Sequence, residues 1–552
     1  MTKLLRSQKF AVWLVAICFT LAILPGMASA AQTPVKNVIV LMTDGTGSTH
    51  ITATRWFKGS PLALDEILTG GVRTYGAESI ITDSAPAATA FATGYKTSDK
   101  FIGILPDKVT TPGVAELPDT LKTKPVPSVL EGAKLVGKAT GLVATSNIQH
   151  ASPAAYSAHW PDRNNYNEIA EQQVYLGIDV VLSGGKSYLL PKAQGGQRVD
   201  GENLIDVLKA RGYGFVENRQ DMLQFKGKKL WGMFAGEDMA YDIDRKQLAP
   251  QEPSLAEMTK KAIGLLSQNK NGFFLFVEGS KVDWASHAND PVGVISDLMA
   301  YDEAVKVALD FAKKDGNTLV MAFADHSNGG MAIGSKASDQ TYSKTSVDRL
   351  LVPLKKAVLT GEGVEAVLAG NLEAGNIRQV MDEYYGISDL TNEEIQAIQK
   401  AKRGNLNYVV GPMISKRSIV GWTTTGHTGE DVFFYSFGPH HPSGLIENTE
   451  IAHSAAKAMG FSLKQVDSNL FIEAGEAFKA IGAEISLDAA DPENKVLVVK
   501  KGTKKAELPL SKNIIKINGK IYEMNGITVI APKTGKVYIP QQAVELVKAA
   551  GM

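Results

Sequence analysis

The chain has almost no cysteine, since Cys18 is the only one among its 552 residues. Cys18 lies in an apolar N-terminal stretch that has the features of a cleaved leader. The mature chain is therefore expected to contain neither disulfides nor thiolate metal ligands. Any metal ion must be held by His, Asp, Glu or hydroxyl groups.

An excess of either charge is also lacking. The formal net charge is zero, and it becomes about −3 without the first thirty residues, which carry Lys3, Arg6 and Lys9 and no acids. This balance argues against a nucleic-acid-binding domain. Hydrophobic residues make up 44% of the chain, enough for a large core, so we expect two units or one large α/β domain with additions.

The chain lacks an apolar run long enough for a typical membrane span. Its longest candidate, Phe10 to Leu24, follows a basic start and precedes a Pro-Gly break and the sequence Ala28-Ser29-Ala30. This pattern predicts a signal peptide over residues 1–30 and a secreted or extracytoplasmic protein, in the periplasm or at the cell surface. An uncleaved membrane anchor stays open as the alternative, although the apolar stretch is shorter than a usual span.

Apolar strand-like runs alternate with helix-like segments from residue 35 to about 461. The clearest runs are VIVLM, GLVATS, VVLSGG, FFLFVEG and TLVMAFADH, at residues 38–42, 141–146, 180–185, 273–279 and 318–326. Continuous apolar runs suit strands that helices cover on both faces. We predict a mainly parallel, doubly wound sheet, whose working site lies beyond the carboxyl ends of its strands.

Two further segments differ from this alternation. Residues 334–420 lack strand runs and contain the charged helical stretch LTNEEIQAIQKAKRG, which predicts an insertion over one edge of the sheet, a candidate lid. After residue 463, short alternating strands with Gly and Lys turns predict a separate small α+β domain. The predicted division is therefore a catalytic domain over residues 31–463 and a C-terminal domain over residues 464–552.

Three of the apolar runs end in acids. Asp44 follows the first, Glu278 ends another, and Asp325 with His326 ends a third. Carboxylates gathered at one edge of a sheet repel one another, so cations are expected to compensate them. Asp325 and His326 are adjacent, and they can converge on one ion only because the strand has ended.

A histidine and an acid also recur at helical spacing. Asp283 and His287 are four residues apart and would share one face of a helical turn, an arrangement that suits zinc. His427 lies in a glycine-flanked loop where a ligand can approach the backbone closely. Taken alone, His427 is a weak signal, and His150, Ser152 and Arg163 are weaker still.

Ser84 opens the small-residue stretch APAATAFATG after a strand-like run. Taken alone, such a stretch is read as a helix packed closely against a neighbour. A serine at a helix start also lies beside free backbone N–H groups and the positive end of the helix dipole, which together form a site for phosphate. Zinc can supply a serine hydroxyl in its ionised form, so Ser84 is the candidate nucleophile.

Six segments together resemble the alkaline phosphatases in order and spacing. They are TDGTG, TDSAPAATAFATG, QHASPA with RNNY, VEGSKVDWASH, ADHSNGG and GHTGE. The resemblance covers roughly residues 35–460 and implies a three-layer α/β/α sandwich that hydrolyses phosphate monoesters, most actively at alkaline pH. It also implies that Ser84 forms a phosphoserine intermediate and that Arg163 grips two phosphate oxygens as a bidentate fork.

The resemblance implies two zinc ions and one magnesium ion. The zinc that activates the attacking water has ligands matching Asp283, His287 and His427, and the zinc that activates the serine has ligands matching Asp44, Asp325 and His326. Asp44 also matches a bridge to the magnesium, whose other protein ligands match Glu278 and Ser152, with His150 just outside. Some members have an acid at His150 and a basic residue at Trp284, so the third ion is left open between magnesium and another ion.

The C-terminal segment is similar to the copper amine oxidase N-terminal-like domains of exported bacterial proteins. No His or Cys occurs after His453, so copper binding by this domain is not expected. Attachment to the cell surface, help in substrate approach and a plain stabilising role stay open. Relatives are often homodimers.

Three functions follow from these observations. The first is a secreted alkaline phosphatase, a phosphoric monoester hydrolase. The second is a hydrolase of the same fold that prefers phosphodiesters or sulfate esters, against which Arg163 argues because a guanidinium fork suits a monoester dianion. The third is an inactive surface-binding protein, which a missing ligand would favour, but every position of the catalytic scheme is filled.

Overall fold

The computed structural model describes residues 33–552. The predicted signal peptide, with Cys18, lies outside these residues. Within them, no helix combines the length and the apolar composition that crossing a membrane requires.

The apolar runs form a large sheet. The strands that precede the C-terminal domain are β1 (Asn37–Thr43), β2 (Leu68–Arg73), β3 (Ala139–Asn147), β4 (Val180–Gly184), β5 (Gly214–Val216), β6 (Leu230–Met233), β7 (Phe273–Gly279), β8 (Thr318–Ala324), β9 (Ser327–Asn328), β10 (Ala332–Ile333), β11 (Val420–Gly421), β12 (His427–Thr428), β13 (Val432–Phe437) and β14 (Gly444–Glu447). Ten of them form one sheet in the order β14-β2-β13-β8-β1-β7-β3-β4-β6-β5. Strand β13 runs antiparallel to its neighbours β2 and β8, and the other neighbours in this sheet are parallel.

Helices lie on both faces of this sheet and in the segment of residues 334–420. They are α1 (Ser48–Lys58), α2 (Ser84–Thr93), α3 (Val129–Leu135), α4 (Ala151–Ala155), α5 (Tyr166–Leu176), α6 (Leu204–Ala210), α7 (Arg219–Gln224), α8 (Asp242–Leu248), α9 (Leu255–Leu266), α10 (Lys281–His287), α11 (Pro291–Asp315), α12 (Asp348–Leu354), α13 (Gly361–Leu368), α14 (Ala374–Tyr385), α15 (Asn392–Lys400), α16 (Asn407–Arg417) and α17 (Asn448–Ala458).

Alternate residues of the central strands belong to different cores. Ile39 and Leu41 of β1 pack in the core on one face, with α9 and α11, whereas Val38 and Val40 pack in the core on the other face, with α2, α3 and α17. The side chains on both faces of β1 are fully buried, which explains why its sequence is a continuous apolar run rather than an alternation of apolar and polar residues. The predicted three-layer α/β/α architecture with a mainly parallel sheet is confirmed.

Residues 334–420 are mostly helical and contain α12 to α16. Strands β10 and β11 pair antiparallel at their base, with Ala332 opposite Gly421 and Ile333 opposite Val420, so the two ends of the segment lie together. Leu350 and Ile414, from the first and last of these helices, are buried in the same core as α11. That this segment acts as a lid stays a prediction.

The C-terminal domain mixes short helices with antiparallel strands, as the sequence predicts. Its helices are α18 (Leu463–Leu470), α19 (Ala474–Lys479) and α20 (Gln541–Ala549), and its strands are β15 (Ile472–Glu473), β16 (Glu484–Asp488), β17 (Val496–Lys501), β18 (Lys504–Pro509), β19 (Ile514–Ile517), β20 (Lys520–Glu523), β21 (Val529–Ile530) and β22 (Val537–Ile539). Strands β16 to β20 form one five-stranded sheet in sequence order.

The C-terminal domain shares apolar packing with the large sheet domain. Phe471, which is 3% exposed, is buried in the core that lies under α3, and its ring centroid is 4.7 Å from that of the buried His159. Lys512 Nζ lies 3.0 Å from the Glu171 carboxylate and 2.8 Å from that of Glu202. These contacts make the domain part of the folded unit rather than a tethered appendage.

Replacement of Phe471 by alanine is therefore expected to destabilise the whole described unit. Loss of a buried aromatic ring costs about 3–5 kcal/mol in free energy of unfolding, and here the cavity would open between the two domains. Chemical denaturation followed by circular dichroism measures the change. Ile521→Ala is the control, because Ile521 is 61% exposed and its truncation opens no cavity. Two separate unfolding transitions in the unaltered protein would contradict the shared core.

Candidate active site

Three neighbouring strands deliver acids to one edge of the sheet. Strands β8, β1 and β7 are adjacent, and Thr43 at the end of β1 lies opposite Gly279 of β7 and Ala324 of β8. Asp44, Glu278 and Asp325 therefore lie next to these aligned strand ends. The sequence predicts the acids at the strand ends, and the order of the strands brings them together.

The first cluster consists of Asp44, Asp325 and His326. Their potential ligand atoms lie within 4.8 Å of one another. His326 Nε2 is 3.5 Å from Asp44 Oδ1 and 3.1 Å from Asp325 Oδ2, and all three side chains are buried. The backbone N–H of Gly45 donates to Asp325 Oδ1 and fixes the orientation of that carboxylate.

The second cluster consists of Asp283, His287 and His427. Asp283 and His287 lie one turn apart on α10, with His287 Nε2 3.3 Å from Asp283 Oδ2. His427 Nε2 is 3.5 Å from Asp283 Oδ1 and 3.2 Å from His287 Nε2. His427 reaches this point because β12 pairs with β9, so that His427 lies opposite Asn328, two residues after His326.

Surrounding groups orient the side chains of the second cluster. His287 Nδ1 is 2.6 Å from the carbonyl oxygen of Thr425, and His427 Nδ1 is 2.9 Å from that of Thr82. With Nδ1 donating to a carbonyl, each ring presents Nε2 and its lone pair to the cluster, as metal-bound histidines do. The Asn328 amide donates to Asp283 Oδ1 at 2.6 Å. These contacts were not predictable from the sequence, because they depend on where three loops meet.

The third cluster consists of Asp44, Glu278 and His150, whose potential ligand atoms also lie within 4.8 Å of one another. Ser152, predicted beside them, is fully buried at the first turn of α4, and its hydroxyl has no protein partner. His150 Nε2 is 2.9 Å from Arg163 Nη2 and can only accept from it, which leaves the proton of the neutral ring on Nδ1. In this orientation His150 offers the cluster an N–H group rather than a lone pair.

Ser84 lies beside the first cluster, and the residue before it binds a guanidinium. It is the first residue of α2, is 2% exposed, and its Oγ is 3.3 Å from His326 Nε2. Arg163 Nη1 donates to Asp83 Oδ2 at 2.6 Å, so the residue before the serine holds the arginine in place. Asp83 was not predicted from the sequence, although its position beside Ser84 is a signal that could have identified it.

The small residues after Ser84 serve packing. Ala85, Ala87, Ala88 and Ala90 are at most 1% exposed, and they let α2 lie close to its neighbours. The packing interpretation of this stretch is therefore confirmed. A phosphate site at the start of the same helix stays a prediction.

The buried acids of the site disfavour carrying negative charge together. Burial, followed by repulsion from Asp325 and two other acids, raises the pKa of Asp44 well above its usual range. Burial and the charge of Asp325 raise the pKa of Glu278 to about 8. Both Asp44 oxygens, Glu278 Oε1 and Asp325 Oδ2 are buried without a hydrogen-bond partner in the protein. Oxygen and imidazole donors in such groups fit divalent metal ions, which would satisfy the unpaired oxygens and offset the repulsion.

Comparison with known proteins agrees with this geometry. A family model described as alkaline phosphatase matches residues 35–461. The chain belongs to the alkaline phosphatase family. A second model, described as copper amine oxidase N-terminal domain, matches residues 454–549.

Individual alkaline phosphatases are similar over most of the chain. Alkaline phosphatase 3 of Bacillus subtilis is 39% identical over 456 residues, which cover 78% of this chain and 91% of that protein. The crystal structure of the alkaline phosphatase of Thermus thermophilus superposes with a TM-score of 0.69 at 26% identity, covering 78% of this chain and 93% of that one. The chain is accordingly a phosphatase enzyme.

A third similar structure bears on metals. It is a variant of the alkaline phosphatase from TAB5, with a histidine replaced by glutamate and Mg bound in its M3 site. Its TM-score is 0.55 at 26% identity, and the match covers 78% of this chain and 99% of that one.

Proposed function

We propose that this alkaline phosphatase is a secreted, metal-dependent enzyme that hydrolyses phosphate monoesters through a phosphoserine on Ser84. The observation that carries the proposal is the position of the Ser84 hydroxyl at a helix N-terminus, 3.3 Å from His326 of the first cluster, with Arg163 bound to the preceding residue, Asp83. A phosphate ester placed there meets backbone N–H groups, a guanidinium and the serine hydroxyl at once.

The protein's own residues account for two displacements at phosphorus. Ser84 Oγ, in ionised form, attacks phosphorus, and the bond to the leaving-group oxygen breaks on the opposite side. Water then attacks from the side the leaving group has vacated, which releases phosphate and frees Ser84. When bound, two zinc ions would acidify the serine hydroxyl and the attacking water and would offset charge on the entering and leaving oxygens.

Each cluster has a proposed occupant. We assign one zinc to Asp44, Asp325 and His326, and the other to Asp283, His287 and His427. The oxygen donors of Asp44, Glu278 and Ser152 suit a magnesium ion. The Mg described for the TAB5 relative supports a third ion, and His150 would then donate its N–H to an oxygen beside that ion.

Arg163 has the role of binding two phosphate oxygens in the ground state and the transition state. Its hydrogen bond to Asp83, the residue before Ser84, restrains the guanidinium, and the side chains of Arg163 and Asp83 are 14% and 33% exposed. A monoester dianion has three unsubstituted oxygens that share two negative charges, whereas a diester has two that share one negative charge. The fork therefore favours monoesters.

Export, attachment and assembly complete the proposal. The predicted leader over residues 1–30 supports secretion, and the C-terminal domain is proposed to associate with the cell surface. The chain is divided into a catalytic domain over residues 31–463, with an insertion over residues 334–420, and a C-terminal domain over residues 464–552. A homodimer is proposed by analogy with other members of the family.

Substitution of Arg163 by alanine tests the substrate class. We expect kcat/KM for 4-nitrophenyl phosphate to fall about 100-fold, because one preorganised charged donor group leaves the transition state. The value for bis(4-nitrophenyl) phosphate should fall much less, since the diester uses the fork poorly. Steady-state kinetics on both substrates measures the difference.

Arg73→Ala is the control for this measurement. Arg73 at the end of β2 is paired with Glu447 of β14, and the Arg73 side chain is 45% exposed. Its removal should leave kcat/KM unchanged for both the monoester and the diester. A higher kcat/KM for the diester in the unaltered enzyme would favour the phosphodiesterase alternative. Absence of turnover of either ester, with metal bound, would favour a surface-binding protein.

A further inference from the structure

The last turn of α10 is tied to the three residues that follow it. Residues 288–290 form the junction between α10, which ends at His287, and α11. Two backbone N–H groups of the junction donate back into the last turn of α10, to the carbonyl oxygens of Ser286 and Ala285 at 2.9 and 2.8 Å. Asn289 has a φ of 51°, a left-handed conformation that costs free energy unless neighbouring contacts hold it. Contacts that fix the junction therefore also fix the turn that carries His287.

Two side chains of residues 334–420 bond to this junction. The Tyr385 hydroxyl, at the end of α14, donates to Asp290 Oδ1 at 2.9 Å, and both side chains are completely buried. Asp290 Oδ1 also accepts a backbone N–H of the first turn of α11 at 2.9 Å. Ser415 Oγ of α16 donates to the carbonyl oxygen of Asn289 at 2.8 Å, and Ser415 is 3% exposed. Both bonds are shielded from water, so loss of either hydroxyl leaves a buried oxygen without that donor.

A glycine brings α16 directly against the junction. A Cβ added to Gly411 would lie 2.4 Å from the carbonyl oxygen of Ala288 and 2.9 Å from Asp290 Cβ, so a side chain does not fit at this position. Trp422 Nε1 donates to Ser415 Oγ at 2.9 Å. The serine hydroxyl has one proton, and accepting from the indole leaves that proton for the carbonyl oxygen of the junction. All three junction residues therefore have a contact with α14 or α16.

We propose that Tyr385 and Ser415 are positioning residues, which hold the junction and thereby fix His287 as a ligand of the zinc in the second cluster. The inference rests on the proposed function, because that function assigns a zinc to this cluster. The His287 side chain is 28% exposed, whereas the other two members of the cluster are 6% and 13% exposed. Its position therefore depends more on the backbone that carries it. Residues 334–420 act by staying in place, since opening as a lid would break both buried bonds.

Tyr385→Phe and Ser415→Ala test the proposal, because each removes one hydroxyl and keeps the rest of the helix packing. Zinc binding to the purified protein is measured by equilibrium dialysis against buffered free zinc, with magnesium in excess, followed by elemental analysis. We expect the free zinc concentration that half-fills the second cluster to rise about tenfold in each variant, while the first cluster binds zinc as in the unaltered protein. At saturating zinc, kcat for 4-nitrophenyl phosphate should return to within about twofold of the unaltered value, because mass action refills the site.

The variant His287→Ala identifies which ion the hydroxyl affects. It removes a ligand of the second cluster, so the zinc that remains tightly bound is the one in the first cluster. Adding Tyr385→Phe to His287→Ala should leave the affinity for this remaining zinc unchanged, because the proposed effect of the hydroxyl passes through His287. A loss of affinity for the remaining zinc in the double variant overturns the proposal, since the hydroxyl would then support the whole site.

Tyr175→Phe and Ser418→Ala are the matched controls. The Tyr175 hydroxyl also donates to a carboxylate, that of Glu202 at 2.6 Å, but its ring is buried in the core on the other face of the sheet. Ser418 is buried just after α16, and its hydroxyl bonds to carbonyl oxygens of that helix. Test variants that bind zinc as these controls do overturn the positioning role while the proposed function stands. Failure of the unaltered protein to bind zinc, or to hydrolyse 4-nitrophenyl phosphate with zinc bound, overturns the proposed function instead.

Discussion

Replacing Ser84 with alanine is expected to lower kcat for phosphate monoesters by a factor of about 10³ or more, because the nucleophile of a covalent mechanism has no substitute. The hydroxyl contacts His326 Nε2 but is not required to form the acid and histidine clusters. Metal content, measured by elemental analysis, should therefore stay the same. Loss of turnover with metal retained separates a missing nucleophile from a collapsed site.

The phosphoserine itself gives an independent measurement. After reaction with labelled substrate and an acid quench, label should remain attached to the unaltered protein and be absent from Ser84→Ala. Ser468→Ala is a control that removes an exposed serine from α18, where its hydroxyl bonds only to the carbonyl oxygen of Lys464. Turnover that survives the loss of Ser84 would assign the attack to water or to another residue.

The sequence predicts those parts of the site that depend on local rules. Strands β1, β7 and β8 contain long apolar runs, so their ends are recognisable in the sequence. Asp44, Glu278 and Asp325 were then predicted from the rule that binding sites of parallel sheets lie at the carboxyl ends of the strands. The spacing of Asp283 and His287 likewise follows from the period of a helix.

Parts of the site that depend on pairing between distant segments cannot be predicted in this way. Only the strand order β8-β1-β7 makes the three acids neighbours, and composition does not encode that order. His427 joins its cluster through a two-residue ladder between β12 and β9, which is too short to leave a periodic pattern. For this position and for Arg163, the resemblance to a family supplied what periodicity could not.

The fold shows the same division. The alternation of apolar strand-like runs with helix-like segments predicts the layered α/β sandwich. The short alternating strands with Gly and Lys turns after residue 463 predict a small C-terminal α+β domain. The antiparallel direction of β13, by contrast, is set by its two partners and not by its own residues. The packing of Phe471 against His159 also cannot be predicted from the sequence. An apolar residue gives the same sequence pattern whether it packs inside one domain or between two.

Removal of metal by a chelator is expected to abolish phosphatase activity and to lower the melting temperature by several degrees. Both effects follow from the carboxylate oxygens that are buried without a hydrogen-bond partner in the protein, namely both oxygens of Asp44, Glu278 Oε1 and Asp325 Oδ2. Without cations these carboxylates repel one another in a medium that solvates them poorly, and the free energy of metal binding is lost from the folded state. Scanning calorimetry before and after chelation measures the stability, and added zinc should restore both properties.

A variant distinguishes this cause from a general effect of the chelator. Asp44→Asn removes the acid shared by the first and third clusters, so it should bind less metal and show a smaller change in melting temperature on chelation than the unaltered protein, with the second cluster's ion accounting for the remainder. It also removes one of the mutually repelling charges, so its metal-free form should be at least as stable as the metal-free unaltered protein. A melting temperature that chelation leaves unchanged in the unaltered protein, with ions shown to be gone, would mean that the clusters are stable without cations. The repulsion inferred from their burial would then have to be relieved by proton uptake instead.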